Sequence, residues 1–463
     1  MKSQIQLKNQ DGYAALATTL ITIAASLITI GGLNFFSLQE VNMNRNFTKS
    51  VESYYVSEAG AEDALYRIVT GKQISSSETL AVGQGTTTVL ITDIGGQITI
   101  RSEGQRGNLQ KNFETRIDAS QTGASFNYGV QVGDGGITMD NNTIINGNVF
   151  SNGSIVGTNN ATITGDGFAA GASRIEGMIV NGNARANLIK TSTIGGTASS
   201  TTDLRDSITG VNAYVANLQT SVISQDGYYL TKDIGTLILG QGYPGTPAPS
   251  NLATADMPIP DSQLDQWEAE AAAGGVQTSP CPLTYDTGSV VTLGPKKIDC
   301  DLNIQGSAQI TIAGSLWIKG NLKIKNSAQV NLSSSFGAQS GVIVVDDPSN
   351  RTASSKIEVE NSATINGSGT AGSYLLLASR NNSAESGGDE KAITLKNTGA
   401  SSIYYAPHGF ISVKNNAVVK EITAWKLEVK NSATVIYELG LRNVQFGSGP
   451  SGGYDVKYWK EVE

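Results

Sequence analysis

Residues Leu302 to Leu332 read LNIQGSAQITIAGSLWIKGNLKIKNSAQVNL. Apolar pairs at i and i+2 recur in it as Leu302/Ile304, Ile310/Ile312, Leu316/Ile318, Leu322/Ile324 and Val330/Leu332, with glycines or Asn-Ser turns between them. Such a pair puts two side chains on one face of a strand. The fourth pair stands to the fifth as the first stands to the second, so the pattern that begins at Leu302 begins again at Leu322. Three short strands per period describe one coil of a parallel β-helix, in which short aliphatic side chains are buried against the coils above and below.

Downstream, Ile393/Leu395, Ile411/Val413 and Leu427/Val429 continue the pattern at slightly shorter and less regular intervals. The phrases KNSAQV, ENSATI, KNNAVV and KNSATV recur at Asn326, Asn361, Asn415 and Asn431. Asparagine tolerates the dihedrals of a tight corner, and stacked asparagines pass side-chain hydrogen bonds from coil to coil. An antiparallel sandwich would not naturally repeat one corner phrase. Coils that vary in length, with uneven corners, favour a right-handed helix over the left-handed form built from strict hexapeptides.

Upstream, from about Phe126, Asn-Gly turns crowd into IINGNVFSNGSIVG and IVNGNAR, and the interval from Gly147 to Gly182 corresponds to about two coils. Residues 203–239 fit this texture poorly and read as a short helix or an insertion. GQGYPGTPAPSNLATADMPIPD then holds Pro244, Pro247, Pro249, Pro258 and Pro260, which reads as a linker or extended clasp because proline interrupts both helix and ladder. A short helix around SQLDQWEAEAAAGG follows, stopped by Gly274-Gly275.

Composition agrees with a thin, elongated fold. Of 463 residues, 53 are glycine, 16% are charged and 6% aromatic, leaving few large anchors for a thick globular core. A formal charge of -8 excludes the basic surface that nucleic acid or anionic lipid requires. With 39% apolar residues in regular alternation, the chain is too hydrophobic for wholesale disorder.

The N-terminal region is different. From Gly12 to Gln39 there is no charged side chain, and Tyr13 to Phe36 would span about 36 Å as a helix, enough to cross about 30 Å of hydrocarbon. The leader MKSQIQLKNQD carries Lys2 and Lys8, which favours a cytoplasmic N-terminus with the remainder extracytoplasmic. The apolar run is too long for a cleaved secretory signal. The helix continues to about Val69, where Tyr54, Ala61, Leu65 and Ile68 form one face. Residues 79–119 then alternate as a small antiparallel sheet.

Cys281 and Cys300, close in sequence and on the extracytoplasmic side, are candidates for a disulfide. Asp346-Asp347 is the best candidate carboxylate pair for polysaccharide chemistry, but adjacent strand residues point apart and Pro348 marks a turn. His408 in YYAPHGF reads as a loop residue, and Asp134 and Asp140 match no calcium-loop spacing. No phosphate loop, zinc spacing or nucleophile elbow occurs, so no catalytic residue, cofactor or metal is assigned.

The residues around the apolar run carry a family resemblance. Gly12-Tyr13-Ala14-Ala15-Leu16 is similar to the leader-cleavage junction of PilX-type minor pilins of type IV pili. LQEVNMNRN and YYVSEAGAEDALYRI resemble that family's LQERMAGN and AFQAAEAALR phrases, so the likeness covers roughly residues 10–70. The C-terminal phrase ATVIYELGLRNVQFGSGPSGGYDVKYWKEVE resembles the ending of PilX-like β-solenoid proteins. The resemblance implies that Gly12 precedes a prepilin-peptidase cut and that Tyr13 becomes the mature N-terminus. Major pilins have glutamate at the fifth mature position; here that place is Ala17, which fits a minor component.

The expected fold is therefore mainly β: a right-handed parallel β-helix after a pilin-like transmembrane helix and a small sheet. Its segments are a leader (1–12), the helix (13–70), an antiparallel β region (75–122), a first solenoid segment (124–240), a Pro-rich linker with a short helix (241–280), the main solenoid (281–446) and a C-terminal cap (447–463). In that cap Tyr458-Trp459 would cover the last coil's edge. The expected role is a minor pilin-like, single-pass cell-surface protein in pilus assembly or adhesion. Its expected partners are membrane lipid, other pilins, prepilin peptidase and a surface glycan or protein, not nucleic acid. The alternatives are a membrane-anchored β-helix enzyme acting on polysaccharide and a pseudopilin-like secretion component.

Overall fold

The computed structural model describes residues 11–69, 75–94, 97–119, 126–399, 402–438, 441, 444, 446 and 454–462. A single 59-residue helix, α1 (Asp11–Val69), is followed by an antiparallel meander of β1 (Ser77–Val82), β2 (Gly85–Ile94), β3 (Gln97–Arg106) and β4 (Leu109–Ala119). The outer half of α1 lies on this sheet. Ala61, Ala64 and Ile68 are buried against Val89, Ile98, Ile100, Phe113 and Ile117, with Tyr54 and Leu65 at the margin. Each large aliphatic or aromatic side chain so buried contributes about 2 kcal/mol. Two glycines set how closely helix and sheet approach: a Cβ on Gly104 would lie 2.4 Å from Ser57 N, and one on Gly60 would lie 2.5 Å from Ser102 Oγ.

The C-terminal strand Tyr454–Val462 pairs antiparallel with β4 as the fifth strand of this sheet. It does not cap the last coil, as the amphipathic Tyr458-Trp459 pair suggested. Trp459 packs on Phe113, with ring centroids 4.9 Å apart. Everything between β4 and this last strand is an insertion.

That insertion is a parallel β-helix with three strands per coil, as residues 302–332 indicate. Leu302 pairs with Leu322, Ile310 with Val330, and Ile298 with Ile318. The inward aliphatics form one continuous core running the length of the stack. The corners are the expected Asn-Ser and Asn-Asn pairs. Asn326/Ser327, Asn361/Ser362 and Asn431/Ser432 all adopt the left-handed conformation, with φ between 55° and 67°.

The two solenoid segments form one stack, but its order is not the chain's order. β5 (Val130–Asp140) pairs with residues 149–157 above and with 422–430 below, Leu427 opposite Ile137. The chain thus enters mid-stack at residue 130, climbs to residue 244, returns to the opposite end at 276, and climbs again until 436 lies beneath 146. On the second face the strands begin, bottom to top, at residues 283, 302, 322, 357, 391, 410, 426, 137, 155, 174, 188, 203, 217 and 231, which makes fourteen coils among the described residues. At about 4.8 Å per step the stack is about 60 Å long.

Residues 203–239 are neither helix nor insertion: they continue the upper arm in short coils, Ala198 pairing with Ala213, Ala213 with Gly227 and Gly227 with Gly242. Equal sequence spacings also mean different things in the two arms. Gly147 and Gly182 are two coils apart, with Gly165 between them, whereas Leu322 and Ile357 are one coil apart because a long outer loop is inserted.

The Pro-rich segment is the return strap. It descends the upper arm in order. Thr246 N bonds Tyr229 O, Arg185 reaches Ser250 O, Gly171 N bonds Leu252 O, Asn152 exchanges two bonds with Ala255, and Gln131 reaches Asp256 O. Below it, α2 (Asp261–Ala273) lays Leu264 and Trp267 on the outer side of the lower arm, over Val342, Val344, Leu376, Ile403 and Tyr405. Those strands are apolar on both faces, which is why GVIVV and YLLLA read as continuous runs.

Candidate functional site

The first candidate is the inner half of α1. Gly12 lies in its first turn, Tyr13 is exposed, and residues 1–10 of the leader lie outside the described residues. Leu16, Leu20, Ile21, Ile23, Leu27, Ile28, Ile30, Leu33, Phe35 and Phe36 are all exposed, and among the described residues this is the one helix long and apolar enough to cross a membrane. Several of its hydroxyls are handled within the helix. Thr18, Thr19, Thr22 and Ser26 donate their hydroxyls to carbonyls three or four residues back, at 2.7–3.0 Å. A hydroxyl spent in this way leaves the helix surface effectively apolar, as hydrocarbon requires. Ala17 adds no charge to this surface.

The second candidate is the contact between α2 and the lower arm. Asp346 is fully buried; Arg351 binds it through two hydrogen bonds of 2.8 and 2.7 Å, and Arg380 lies 3.8 Å away. Arg380 in turn binds Asp265 and, at 3.3 Å, Glu268 of α2. Burial, with Asp346 nearby, pushes the Glu268 carboxyl up to about 7. The Asp346-Asp347 pair is divided as strand geometry demands: Asp347 instead accepts from Ser349 at 2.6 Å in the following turn. His408 is not in a loop but in the strand Ser402–Lys414. Its Nε2 is 3.0 Å from Asp261 at the start of α2 and its Nδ1 2.6 Å from Glu385. The hydrogen bond to Asp261 raises the imidazole above its ordinary value and holds Asp261 below the usual carboxylate range. The whole constellation pins α2 to the coils.

Other sequence candidates do not converge with these. Cys281 is exposed and Cys300 buried, both as free thiols; burial, with the neighbouring Cys281 thiol, pushes Cys300 up to about 11. Asp140 accepts from Thr158 and Asn159 at 2.6 and 2.8 Å as part of a corner. No group of three or more potential metal ligands occurs among the described residues.

The outward second face of the lower arm alternates charge. Lys325 sits 3.0 Å from Glu358 and 3.5 Å from Glu360, Lys396 2.6 Å from Glu360, and Lys430 2.8 Å from Glu428. Such surface pairs are worth at most about 1 kcal/mol each, but they leave these carboxylates engaged. The upper arm instead carries a stack of tyrosines, Tyr214, Tyr228 and Tyr243, with centroids 4.5 and 4.7 Å apart and planes within 8°. Their regular recurrence, one tyrosine per coil, was the available signal for it. Glu421, which no motif singled out, is fully buried with only Thr423 donating to it, and burial holds its carboxyl well above the usual range.

No protein-family model and no curated protein matches the sequence. The crystal structure of the competence-associated pilin ComZ from Thermus thermophilus is similar to this chain at a TM-score of 0.30 and 10% identity, over 90% of this chain and 98% of that one. So loose a superposition establishes neither fold nor role.

Proposed function

We propose that this chain is a minor pilin-like protein of the PilX type. In this reading it is anchored in the membrane by the inner half of α1 and carries an extracytoplasmic β-solenoid that serves pilus assembly or adhesion. One observation carries the reading. A continuous helix is apolar and exposed along its inner half, while its outer half packs on a five-stranded antiparallel sheet from which the solenoid is inserted. A helix built this way serves first as an anchor and then, once drawn from the bilayer, as a packing element among other apolar helices. Prepilin peptidase would cut between Gly12 and Tyr13, removing Lys2 and Lys8 so that the new end can leave the cytoplasmic face. Ala17 in place of a glutamate fits a minor position in the filament. The outward faces of the solenoid would meet a surface glycan or protein; no catalytic step is part of this role.

Mass spectrometry of the mature N-terminus, from cells with and without prepilin peptidase, tests the reading. A chain beginning at Tyr13 only when the peptidase is present is the expected result. An intact Met1 in both, or a cut elsewhere that does not depend on the peptidase, overturns it.

A further inference from the structure

Inside the upper arm each coil covers the one beneath it, and Leu204, Leu218 and Ile223 have essentially no exposure. The covering stops at the last turn. Ile234 is fully exposed, Leu237 and Leu239 are more than half exposed, and Leu230 is half exposed. Among the described residues, Leu237–Ile238 and Gly242–Pro244 pair only with the coil below, through Val222–Ile223 and Gly227–Tyr229. The tyrosine stack ends there as well, at the partly exposed Tyr243. Stacked-repeat proteins ordinarily close such an end with a polar cap.

The chemistry of this end narrows what covers it. Its sequence, GYYLTKDIGTLILGQGYP at 227–244, has one lysine and one aspartate and is neutral on a chain of charge -8. The two charges are adjacent in sequence and opposite in sign: Lys232 Nζ donates to the carbonyls of Asp233 and Thr236 at 3.1 and 3.0 Å, and Asp233 accepts from Thr236 and Thr220. With no net charge, this end offers no attraction to a partner that carries one sign of charge in excess. The fitting occupant is another apolar strand edge of the same cross-section and no net charge.

We propose that this occupant is a second copy of the chain, docked end to end through its own upper coil. The opposite end of the stack does not fit. Its first coils are long, running from Leu283 to Leu302 to Leu322, whereas those at the top are short, running from Ala213 to Gly227 to Gly242. Head-to-tail stacking would set a small coil on a large one; head-to-head stacking matches the edge to itself. The contact is therefore isologous and closes at two copies rather than propagating. The contact uses no residue of α1, and it is independent of the pilin reading.

Full-length chain placed one copy per lipid nanodisc isolates this contact, because the apolar helices then cannot meet. In sedimentation velocity, wild-type discs are expected to pair, and discs carrying Ile234→Glu with Leu237→Glu to run singly. Val290→Glu, an exposed position at the opposite end, is expected to pair like wild type. Amides of residues 237–243 should exchange more slowly in paired discs. Wild-type discs that stay single, or pairing that persists in the double variant, overturns the proposal. So does pairing that only Val290→Glu abolishes. Unchanged far-ultraviolet dichroism in the double variant separates loss of contact from loss of fold.

Discussion

Asn141 donates from its side-chain amide to the side-chain oxygen of Asn431 at 3.2 Å, although the two residues are 290 positions apart. Both are in the left-handed region, at φ 57° and 55°. Asn431 makes the same contact with Asn415 at 2.9 Å, and Asn159 makes it with Asn141 at 3.2 Å. The ladder therefore crosses the seam between the arms without a break. In hydrogen bonding the seam is an ordinary coil step, although the chain passes from one side to the other only by way of the whole upper arm, the strap and the lower arm.

Substitution at this corner should show that equivalence. Asn431→Ala loses two hydrogen bonds, with Asn141 and Asn415, worth about 2 kcal/mol together, and forces a Cβ-bearing residue without a local hydrogen bond into the left-handed region, which costs about 1–2 kcal/mol more. Asn431→Gly keeps the conformation and should cost only the two bonds, about 2 kcal/mol. Asn415→Ala, one coil from the seam, loses only the bond with Asn431 and should cost about 1 kcal/mol less than Asn431→Ala. Denaturant midpoints compare the three; a seam variant far more costly than its neighbour would show that the arms meet as separate bodies.

Docking of α2 should depend on pH with an unusual sign. Glu268 titrates at about 7 in the folded state against 4.5 when free, so the folded state binds the extra proton and stability falls as pH rises from about 4.5 to 7. His408, raised above 6.5, adds a loss in the same direction as pH climbs through its folded value. Asp261, lowered from 3.8, acts oppositely and loses its contribution as pH falls through its depressed value. Opening free energies of α2 amides from hydrogen exchange, corrected for intrinsic rates, should therefore peak in mildly acidic solution. Glu268→Gln should flatten the decline between about 4.5 and 7; a decline that survives in this variant would remove Glu268 as its cause.

Arg380 is the cation on which this contact turns. Above about pH 7, where Glu268 is ionised, Arg380→Met leaves it buried beside Asp346 with no opposite charge of its own, a loss of about 3 kcal/mol by the usual cost of breaking a buried pair. Combining it with Glu268→Gln should recover part of that loss, because the unpaired carboxylate is gone. Thermal unfolding of the single and double variants measures the coupling.

Much of this architecture was legible where inward positions are large and aliphatic. The Leu302–Leu332 repeat announces coils because Leu, Ile and Val recur at fixed offsets. Residues 203–239 hid the same coils because many of the inward and corner positions in that stretch are Ser207, Thr209, Ala213 and Ser221, so the apolar period is faint. The pairing of Leu427 with Ile137 was not legible at all, since an i, i+2 pattern marks which face is inside and not which coil lies above. The Asp346 site failed for a similar reason. Arg351 is local and implies a turn, but Arg380 and Glu268 arrive from a later coil and from α2. Trp459 misled because an amphipathic aromatic suits a cap and a sheet partner equally well.

The thiols offer a separate test. Cys281 lies beside Cys300, whose hydrogen points toward Pro280 O at 3.7 Å. In an oxidising compartment the pair should close to a disulfide with the loss of two hydrogens, visible by intact mass before and after reduction. Closing a loop of this size should stabilise the lower end of the stack by about 3 kcal/mol in the chain-entropy model. Equal unfolding midpoints for oxidised and reduced protein would show that the bridge, if formed, does not bear on stability.

The last strand offers the sharpest local perturbation. Thr115 Oγ1 donates to Tyr458 O at 2.9 Å, the Tyr458 hydroxyl donates to Glu114 at 2.7 Å, and Trp459 Nε1 donates to Glu58 of α1 at 3.3 Å. Trp459 thus ties strand, sheet and helix together over Phe113. Trp459→Ala should cost about 3 kcal/mol, the lower range for removing a large aromatic, because its ring is only partly buried. The cost should stay local, since the solenoid core is a separate set of side chains. Hydrogen exchange should show β4 and the outer half of α1 losing protection while the amides of Ile310 and Ile324 keep theirs. Equal loss at all of these sites would mean that the sheet and the solenoid unfold as one unit, and that the insertion depends on the strand that closes it.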